Sequence, residues 1–191
     1  HNVAVTVTDN YTGVLNISVK VDGTPVTPND QVFGGIDFLN TYHTEADTVI
    51  TAKKEMKGLK LEDGAFTFTL KGKINEKYSV DQTKKNEGTD KDGLGIVTFD
   101  SLKFAVNPTD DQKSKGYIDV KDLPLNDAGH YEFKLVLAED TTDLDKKDIR
   151  LEGADHYDIT VNVDYNKADG KLTVGITPNN VDFKFTNIKN S

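Results

Sequence analysis

The feature of this sequence that most constrains its fold is a strict alternation of apolar and polar residues, repeated in six separate runs. Side chains of a β-strand point to opposite faces at every second residue, so this period is typical of half-buried strands. The runs are also rich in the β-branched and aromatic residues that strands favour. They cover residues 3–7, 15–19, 66–70, 131–137, 159–163 and 172–176.

The segments between these runs predict turns and not helices. Clusters of Asp, Asn, Gly and Lys occupy residues 9–13, 86–95 and 166–170, and these residue types favour turns and loops. No stretch has the apolar periodicity of an amphipathic helix of ordinary length. We therefore predict an all-β fold, an Ig-like β-sandwich with Greek-key connections.

The composition excludes several classes of function. Hydrophobic residues make up 36% of the chain, and no run approaches the roughly 20 apolar residues that a membrane helix needs. We expect a soluble chain without membrane insertion in this stretch. A net charge of −9 argues against a nucleic-acid partner, because phosphate backbones would repel it. The absence of cysteine excludes disulfides, thiolate nucleophiles and Cys-ligated zinc.

The start and the end of the chain resemble each other. Residues 4–19 read AVTVTDNYTGVLNISV, and residues 159–176 read ITVNVDYNKADGKLTVGI. Each copy has an alternating strand, an Asn/Asp turn closed by glycine, and a second strand that begins near a leucine. Each copy then leads to a short aromatic strand that contains an asparagine, Asn40 in the first and Asn187 in the second.

The repeat length of about 150 residues predicts tandem domains. We expect residues 1–42 to be the C-terminal strands of a preceding repeat and residues 47–189 to be one complete domain. The chain also opens within a strand pattern, without a signal peptide, so we expect it to be part of a longer protein.

Three polar residues of the predicted complete domain have the functional groups for a spontaneous amide cross-link: Lys54, Glu139 and Asn187. Burial lowers the pKa of a lysine ammonium and frees the amine lone pair. Dry surroundings also favour the neutral form of a carboxylic acid, which can donate a hydrogen bond to a carboxamide oxygen. Lys54 would attack Asn187, Glu139 would relay protons and ammonia would leave. Such a cross-link forms once per molecule, so we do not expect an enzyme with turnover.

At these residues the sequence resembles the isopeptide-linked pilin domains of Gram-positive surface proteins, of the streptococcal major pilin type. The resemblance covers nearly the whole chain, and the reactive lysine of the family lies four residues before a glycine, as Lys54 does before Gly58. The similar segments are VITAKKEMKGLKL, DGAFTFTL, GIVTFDSLKF, AGHYEFKLVLAE, HYDITVNVDYNKADGKLTV and the closing FTN.

The resemblance implies roles for individual residues. Lys54 would be the amine, Asn187 the acceptor, and an acid on the strand of Tyr131 the proton relay. Asn40 would be the acceptor of an upstream domain. The resemblance also implies an extracellular location on a pilus or on the cell wall, with neighbouring repeats or pilin subunits as partners.

One spacing departs from the family pattern. The acid of the family follows the glycine of its strand by eight residues, and here that position is Leu137, with Glu139 two residues later. Both side chains share a face because strand side chains alternate with a period of two, so a bulge or a shifted register would bring Glu139 into place.

Two readings of the function follow. The first is a structural shaft or stalk module of a bacterial surface fibre. The alternative is an adhesin domain that binds a host protein or glycan through loops such as 75–95 or 107–128. Those loops are poor in the aromatic residues and arginine that dominate binding hot spots, which favours the shaft. Taken singly, Lys54, Glu139 and Asn187 are typical of solvated surface positions, and only their joint placement in the pattern favours the cross-link.

Other candidate sites are weak. Asp90, Asp92 and Gly93 resemble the start of a calcium loop, but the downstream glutamate is missing and a turn explains them better. None of the four histidines has a paired metal-ligand spacing. Asp143 and Asp145 are typical of a solvated loop and not of a glycosidase pair. We therefore expect no metal and no cofactor.

Overall fold

The computed structural model describes residues 1–9, 15–26 and 43–190. The chain divides into two compact units, residues 1–41 and 42–191. The first unit contains a three-stranded antiparallel sheet in the order β1-β2-β3. Its strands are β1 (Val3–Asp9), β2 (Leu15–Val21) and β3 (Thr24–Val26).

The second unit consists almost entirely of strands. Its helical elements are the short α1 (Asp110–Ser114) and two 3-10 turns, Val120–Asp122 and Asp145–Lys147. No helix of the described residues has the length and apolar character needed to cross a membrane. The strands are β4 (Thr44–Thr48), β5 (Thr51–Lys57), β6 (Thr67–Lys73), β7 (Ser79–Lys85), β8 (Glu87–Thr89), β9 (Gly95–Thr98), β10 (Leu102–Val106), β11 (Ile118–Asp119), β12 (Tyr131–Glu139), β13 (Ile149–Leu151), β14 (His156–Asn166), β15 (Lys171–Thr177) and β16 (Lys184–Lys189).

Two five-stranded sheets form the layers of the second unit. One, the β12 sheet, has the order β15-β14-β12-β6-β7, and the other, the β5 sheet, has the order β13-β16-β5-β9-β8. A small third sheet has the order β11-β10-β4. Non-consecutive neighbours in both large sheets mean that the chain crosses between layers, as Greek-key sandwiches do. The predicted all-β sandwich is therefore confirmed.

The alternation in the sequence becomes the inner and outer faces of these sheets. Along β12, Phe133, Leu135 and Leu137 are buried, while Lys134 and Val136 between them are exposed. The inward residues of β12, β14 and β6 share one apolar core with residues of the β5 sheet, among them Ala52 and Phe185. Removal of this apolar surface from water is the main force that holds the two layers together.

The two similar hairpins of the sequence have matching strand registers. In the β1–β2 hairpin, Val7 pairs with Ile17 and Val5 pairs with Val19. In the β14–β15 hairpin, the corresponding pairs are Val163 with Val174 and Val161 with Ile176. The same apolar cross-strand pairs thus recur in both units. The assignment of residues 1–42 and 47–189 to successive repeats stays a prediction.

Two neighbouring strands of the β5 sheet, β5 and β16, come from opposite ends of the second unit. β16 pairs with β5 in parallel, with Phe185 opposite Lys54 and Asn187 opposite Met56. Because the strands are parallel, the chain enters β5 at one end of the pair and leaves β16 at the other end. This topology brings residues more than 120 positions apart in the sequence onto neighbouring strands.

Candidate functional site

Lys54 is buried because strand geometry separates it from its neighbour Lys53. Successive side chains of β5 point to opposite faces, so one lysine faces solvent and the other faces the core. Lys53 forms ion pairs with Asp90 at 3.3 Å and with Asp182 at 3.5 Å. Lys54 is 0% exposed, although lysine is one of the residues least often fully buried.

Asn187 lies on the strand next to Lys54, two residues beyond the position directly opposite it. Its side chain is 0% exposed. β16 can bury this amide because Phe185, two residues earlier on the same face, is also fully buried in the core. The two ends of the proposed cross-link therefore project from adjacent strands of one sheet into the same interior.

Glu139 reaches the two side chains from the opposite layer. It is the last residue of β12, where it pairs with Phe68 of β6, and its side chain is 0% exposed. The pairing of β12 with β14 is regular from Tyr131 to Ala138. Glu139 thus lies in the interior at the end of a strand whose pairing has no bulge. Leu137, the position of the family's usual acid, is a core residue with 0% exposure.

The carboxylate of Glu139 bridges the two nitrogen atoms of the cluster. Lys54 Nζ donates to Glu139 Oε1 at 2.7 Å and to Oε2 at 2.9 Å. Asn187 Nδ2 donates to the same Oε1 atom at 2.8 Å. One carboxyl group therefore contacts both the amine that would attack and the amide nitrogen that would leave.

The remaining polar atom of the cluster is unpaired. Asn187 Oδ1 is buried and makes no hydrogen bond with any residue that the structure describes. A buried carbonyl oxygen without a partner is costly, by about 1 to 3 kcal/mol. Rotation of the carboxamide by half a turn exchanges Oδ1 and Nδ2, which are nearly identical in shape. The oxygen would then face the Glu139 carboxyl group and would accept a hydrogen bond from its protonated form.

Burial of Lys54 raises the fraction of its side chain that is a neutral amine. Burial lowers the pKa of Lys54 to about 8, against the opposing effect of the hydrogen bond and charge of Glu139. For Lys53, by contrast, the hydrogen bond to Asp90 raises the pKa. At pH 7 a lysine with a pKa near 8 is neutral in about one molecule in ten. Adjacent lysines of one strand thus differ in their readiness to act as nucleophiles.

Aromatic rings surround the cluster. Lys54 Nζ lies 4.3 Å from the centroid of the Phe66 ring. Phe68 and Phe185 are fully buried, with their ring centroids 5.3 Å apart. Tyr157 packs edge-on against Phe185 at 5.2 Å, and its hydroxyl donates to the Lys184 carbonyl. These rings occupy the space where water would otherwise solvate the amine.

The other residues singled out in the sequence do not join this cluster. Asn40, the predicted acceptor of an upstream domain, lies outside the described residues. Asp90 Oδ1 accepts from the backbone N–H groups of Asp92 and Leu94, which is a turn geometry. Within the described ranges, no group of three or more His, Asp and Glu side chains could hold a metal ion.

Two residues that the sequence analysis did not single out contribute to the site. Asn86 is 0% exposed and hydrogen-bonds to the segment that contains Phe66. Gly95 is the cross-strand partner of Lys54 on β9. Both lie in a segment whose Asn, Asp and Gly content indicates only a loop, so composition gave no signal that would distinguish them from turn residues.

The fold and the site together define a class: a β-sandwich domain that buries a lysine, a carboxylic acid and an asparagine beside its first and last strands. Residues 50–190 match the family described as FctA, the Spy0128-like isopeptide containing domain. The chain belongs to this family, as its resemblance to isopeptide-linked pilin domains implied. No curated protein has a significant match to the chain.

Proposed function

We propose that this chain is a structural shaft or stalk module of a bacterial surface fibre, stabilised by an autocatalytic amide bond between Lys54 and Asn187. The observation that carries the proposal is the buried cluster in which Glu139 contacts both nitrogen atoms. Membership of the isopeptide-containing family supports the same chemistry. The reaction occurs once in each molecule, so the domain is not an enzyme with turnover.

The bond-forming step is an exchange of one amide nitrogen for another. The lone pair of neutral Lys54 Nζ attacks Cγ of Asn187, and the carbonyl oxygen takes the negative charge of the tetrahedral intermediate. The Cγ–Nδ2 bond then breaks, the carbonyl re-forms and Nδ2 leaves as ammonia. The product is a secondary amide, and the molecule is lighter by one ammonia.

Glu139 is placed to move the protons of this exchange. One proton must pass from Nζ to Nδ2 so that the leaving group departs as neutral ammonia. Glu139 Oε1 contacts both atoms, at 2.7 Å and 2.8 Å. In the orientation rotated by half a turn, a protonated Glu139 would instead donate to Oδ1 and make Cγ more electrophilic for the attack. The contact with Nδ2 would return when the carboxamide rotates back for departure of the ammonia. General acid and base action of this kind contributes about 10²- to 10⁴-fold to a rate.

Burial prepares both partners of the pair at once. A buried ammonium and carboxylate lose their hydration, and transfer of one proton between them gives a neutral pair that is cheaper to bury. In that neutral pair the amine has a free lone pair and the acid has a proton to donate. In the proposed mechanism this proton transfer takes place within the cluster and needs no external base.

The bond would stabilise the domain by joining distant parts of the chain. It closes a loop between positions 54 and 187, which are 133 positions apart. In the chain-entropy model, closure of such a loop in the unfolded state is worth on the order of 5 kcal/mol. This is a large fraction of the stability of an ordinary domain, which is about 5 to 15 kcal/mol.

The parallel pairing of β5 and β16 gives the bond a mechanical role. Tension applied to the two ends of the second unit would shear these two strands past each other, because the chain enters and leaves at opposite ends of the pair. A bond between Lys54 and Asn187 would carry the tension directly from one strand to the other. The residues between them, which form most of the sandwich, would then not bear the load.

This mechanical role fits an extracellular fibre on a pilus or on the cell wall, where domains are pulled in series. Neighbouring repeats or pilin subunits of the same fibre would be the partners. Residues 1–42 would belong to a preceding repeat whose acceptor is Asn40. We propose these locations and partners from the family and from the architecture of the domain.

The mass of the intact folded chain tests the cross-link. The unmodified protein should be lighter than its sequence by one ammonia. Lys54→Met replaces the amine by an apolar side chain that can stay in the core, and this variant should have the full mass. The matched control is Lys53→Met, on the neighbouring but solvent-facing residue, which should still lose ammonia. A full sequence mass in the folded, unmodified protein would contradict the proposal.

One observation favours the adhesin alternative as a second candidate. Both loops named for it line the same surface cavity of about 270 Å³, which includes Tyr78, Pro108 and Tyr117. Two of its lysines are already paired, Lys121 with Asp119 and Lys77 with Asp122. Saturable binding of a host matrix protein or glycan that is lost in Tyr117→Ala would favour this function over a purely mechanical one.

A further inference from the structure

The side chain that separates the Lys54 amine from solvent is Phe66. Its ring contacts Lys54 Nζ, and it also lines two surface cavities of about 60 Å³ and 180 Å³. Lys54, Glu139 and Asn187 line neither cavity. Displacement of the Phe66 ring would therefore open the amine to water from these cavities.

Phe66 is not in a strand. It ends the segment of residues 59–66 between β5 and β6, which we call the covering segment. Segments outside regular sheets lack a ladder of backbone hydrogen bonds, so the position of this ring depends on other contacts. Asn86, which lies between β7 and β8, binds both backbone polar groups of Phe66. Elsewhere in the segment, Gly88 N donates to Asp63 Oδ1 and Lys147 Nζ donates to the Ala65 carbonyl.

Asn86 binds the covering segment through four hydrogen bonds. Its side-chain Oδ1 accepts from Phe66 N at 2.9 Å, and its Nδ2 donates to the Glu62 carbonyl at 2.9 Å. Its backbone accepts from Gly64 N at 2.7 Å and donates to the Phe66 carbonyl at 3.3 Å. Both backbone polar groups of Phe66 are thus fixed by this one fully buried residue.

Gly95 provides the space for this arrangement. It pairs with Lys54 across β5 and β9. A Cβ atom at this position would lie 2.7 Å from Leu61 Cδ2 and 3.4 Å from Asn86 Cβ. The covering segment and Asn86 therefore pack closely over the strand pair at the level of the reactive lysine.

We propose that Asn86 is a positioning residue for the cross-link, which holds Phe66 over the Lys54 amine and keeps water away from it. This inference rests on the proposed function, because it concerns the same bond. Asn86 touches none of the reacting atoms and acts only through the covering segment. Without it the ring would move, water would reach the amine, and the amine would be protonated more fully at neutral pH.

The charged groups near the amine set the expected pH dependence. Glu139 of β12 is in direct contact. On the solvent side of Phe66 lie Lys147, whose Nζ is 5.6 Å from the ring, and the cavity residues Asp140 and Asp143. Asn187 of β16 and Gly95 of β9 are uncharged. Displacement of the Phe66 ring should raise the pKa of Lys54 from about 8 toward its ordinary value.

The test measures the rate of cross-linking against pH. The full chain is kept unfolded in denaturant from synthesis onward, so that the amide bond has not yet formed, and is then folded by dilution at pH 6 to 10. Samples are quenched in acid, and the loss of ammonia is followed by mass. At pH 7 we expect Asn86→Ala to react at least about tenfold more slowly than the unmodified chain, because each unit by which the pKa rises removes about nine tenths of the neutral amine. The difference should shrink as the pH approaches 10.

Asn75→Ala is the matched control. Asn75 also organises a loop through both side-chain atoms, since it accepts from Lys77 N and Tyr78 N and donates to the Asp122 carbonyl. It should keep the pH profile of the unmodified chain even if it loses stability. If Asn86→Ala does not refold, Asn86→Ser replaces it, because serine is too short to reach both Phe66 N and the Glu62 carbonyl.

The outcomes separate this inference from the proposed function. A folded Asn86 variant with the same pH profile as the unmodified chain would overturn the positioning role while leaving the cross-link intact. If Asn75→Ala shifts the pH profile of the cross-linking rate as much as Asn86→Ala does, the positioning role is also overturned, since the effect would then follow from lost stability. Absence of ammonia loss in the unmodified chain would instead defeat the proposed function itself.

Discussion

At the scale of single residues, burial decides what otherwise similar side chains can do. Lys53 and Lys54 are neighbours, yet only Lys54 faces the core and has a lowered pKa. Glu139 and Asp140 are likewise neighbours, and Asp140 is exposed while Glu139 contacts the amine. For the two lysines the difference comes from the period-two geometry of β5, whereas Asp140 lies just beyond the end of β12.

These pairs allow a test of the proton relay. Glu139→Gln keeps the size of the side chain but cannot take up and release the proton, so cross-linking after refolding should slow by about 10²-fold or more. Asp140→Asn removes the neighbouring exposed carboxylate and should leave the rate unchanged. Both rates are measured by the loss of ammonia over time. Wild-type kinetics in Glu139→Gln would show that another group moves the protons.

At the scale of secondary-structure elements, β12 illustrates how far sequence alone could go. The alternation from Tyr131 to Leu137 predicted a strand, and the strand is present. The family spacing pointed to Leu137 as the acid's position, whereas the structure places Glu139 beside Lys54. The period of two identifies which residues of β12 share a face, but it does not determine which of them lies opposite Lys54 in the other sheet. This position is determined by contacts between the two sheets, which a local sequence pattern does not show.

The contact between Asn86 and the covering segment could not be predicted from the sequence for a related reason. Phe66 begins the alternating run 66–70, and it is buried although it lies just before β6. The role of Asn86 depends on hydrogen bonds to residues 20 and 24 positions earlier. Asparagine at the end of a strand is common in turns, so its residue type indicates a loop whether or not it supports a site.

The different roles of neighbouring β12 residues lead to a prediction about stability. Leu137→Ala removes a fully buried side chain and should lower the free energy of unfolding by about 2 to 5 kcal/mol. It should still lose one ammonia, because Leu137 takes no part in the chemistry. Val136→Ala, on the exposed face of the same strand, is the control and should cost much less. Denaturant unfolding and intact mass measure the two effects. A folded Leu137→Ala chain with full sequence mass would mean that this position matters for the reaction.

At the scale of the whole molecule, the proposed bond changes which part of the chain responds to force. β5 and β16 are adjacent and parallel, so the two ends of the second unit pull on one strand pair. With the bond present, the chain between residues 54 and 187 is shielded from tension. Without it, the same tension acts on the backbone hydrogen bonds that join β5 and β16 to each other and to their neighbours β9 and β13.

Single-molecule stretching of the chain should therefore separate the linked and unlinked forms. Glu139→Gln molecules that lack the bond should unfold and release the chain between positions 54 and 187, which are 133 positions apart, a gain of roughly 450 Å in extended length. The unmodified chain should show no gain of that size at any force below bond rupture. Equal length gains in both forms would remove the mechanical role while leaving the domain's fold unchanged.

The most direct measurement of the central claim is peptide mapping of the folded, unmodified chain by tandem mass spectrometry. A digest should yield one branched peptide that joins the β5 segment to the β16 segment through the side chains of Lys54 and Asn187, lighter than the two linear peptides together by one ammonia. Recovery of those segments only as separate linear peptides with unmodified Lys54 and Asn187 would contradict the account.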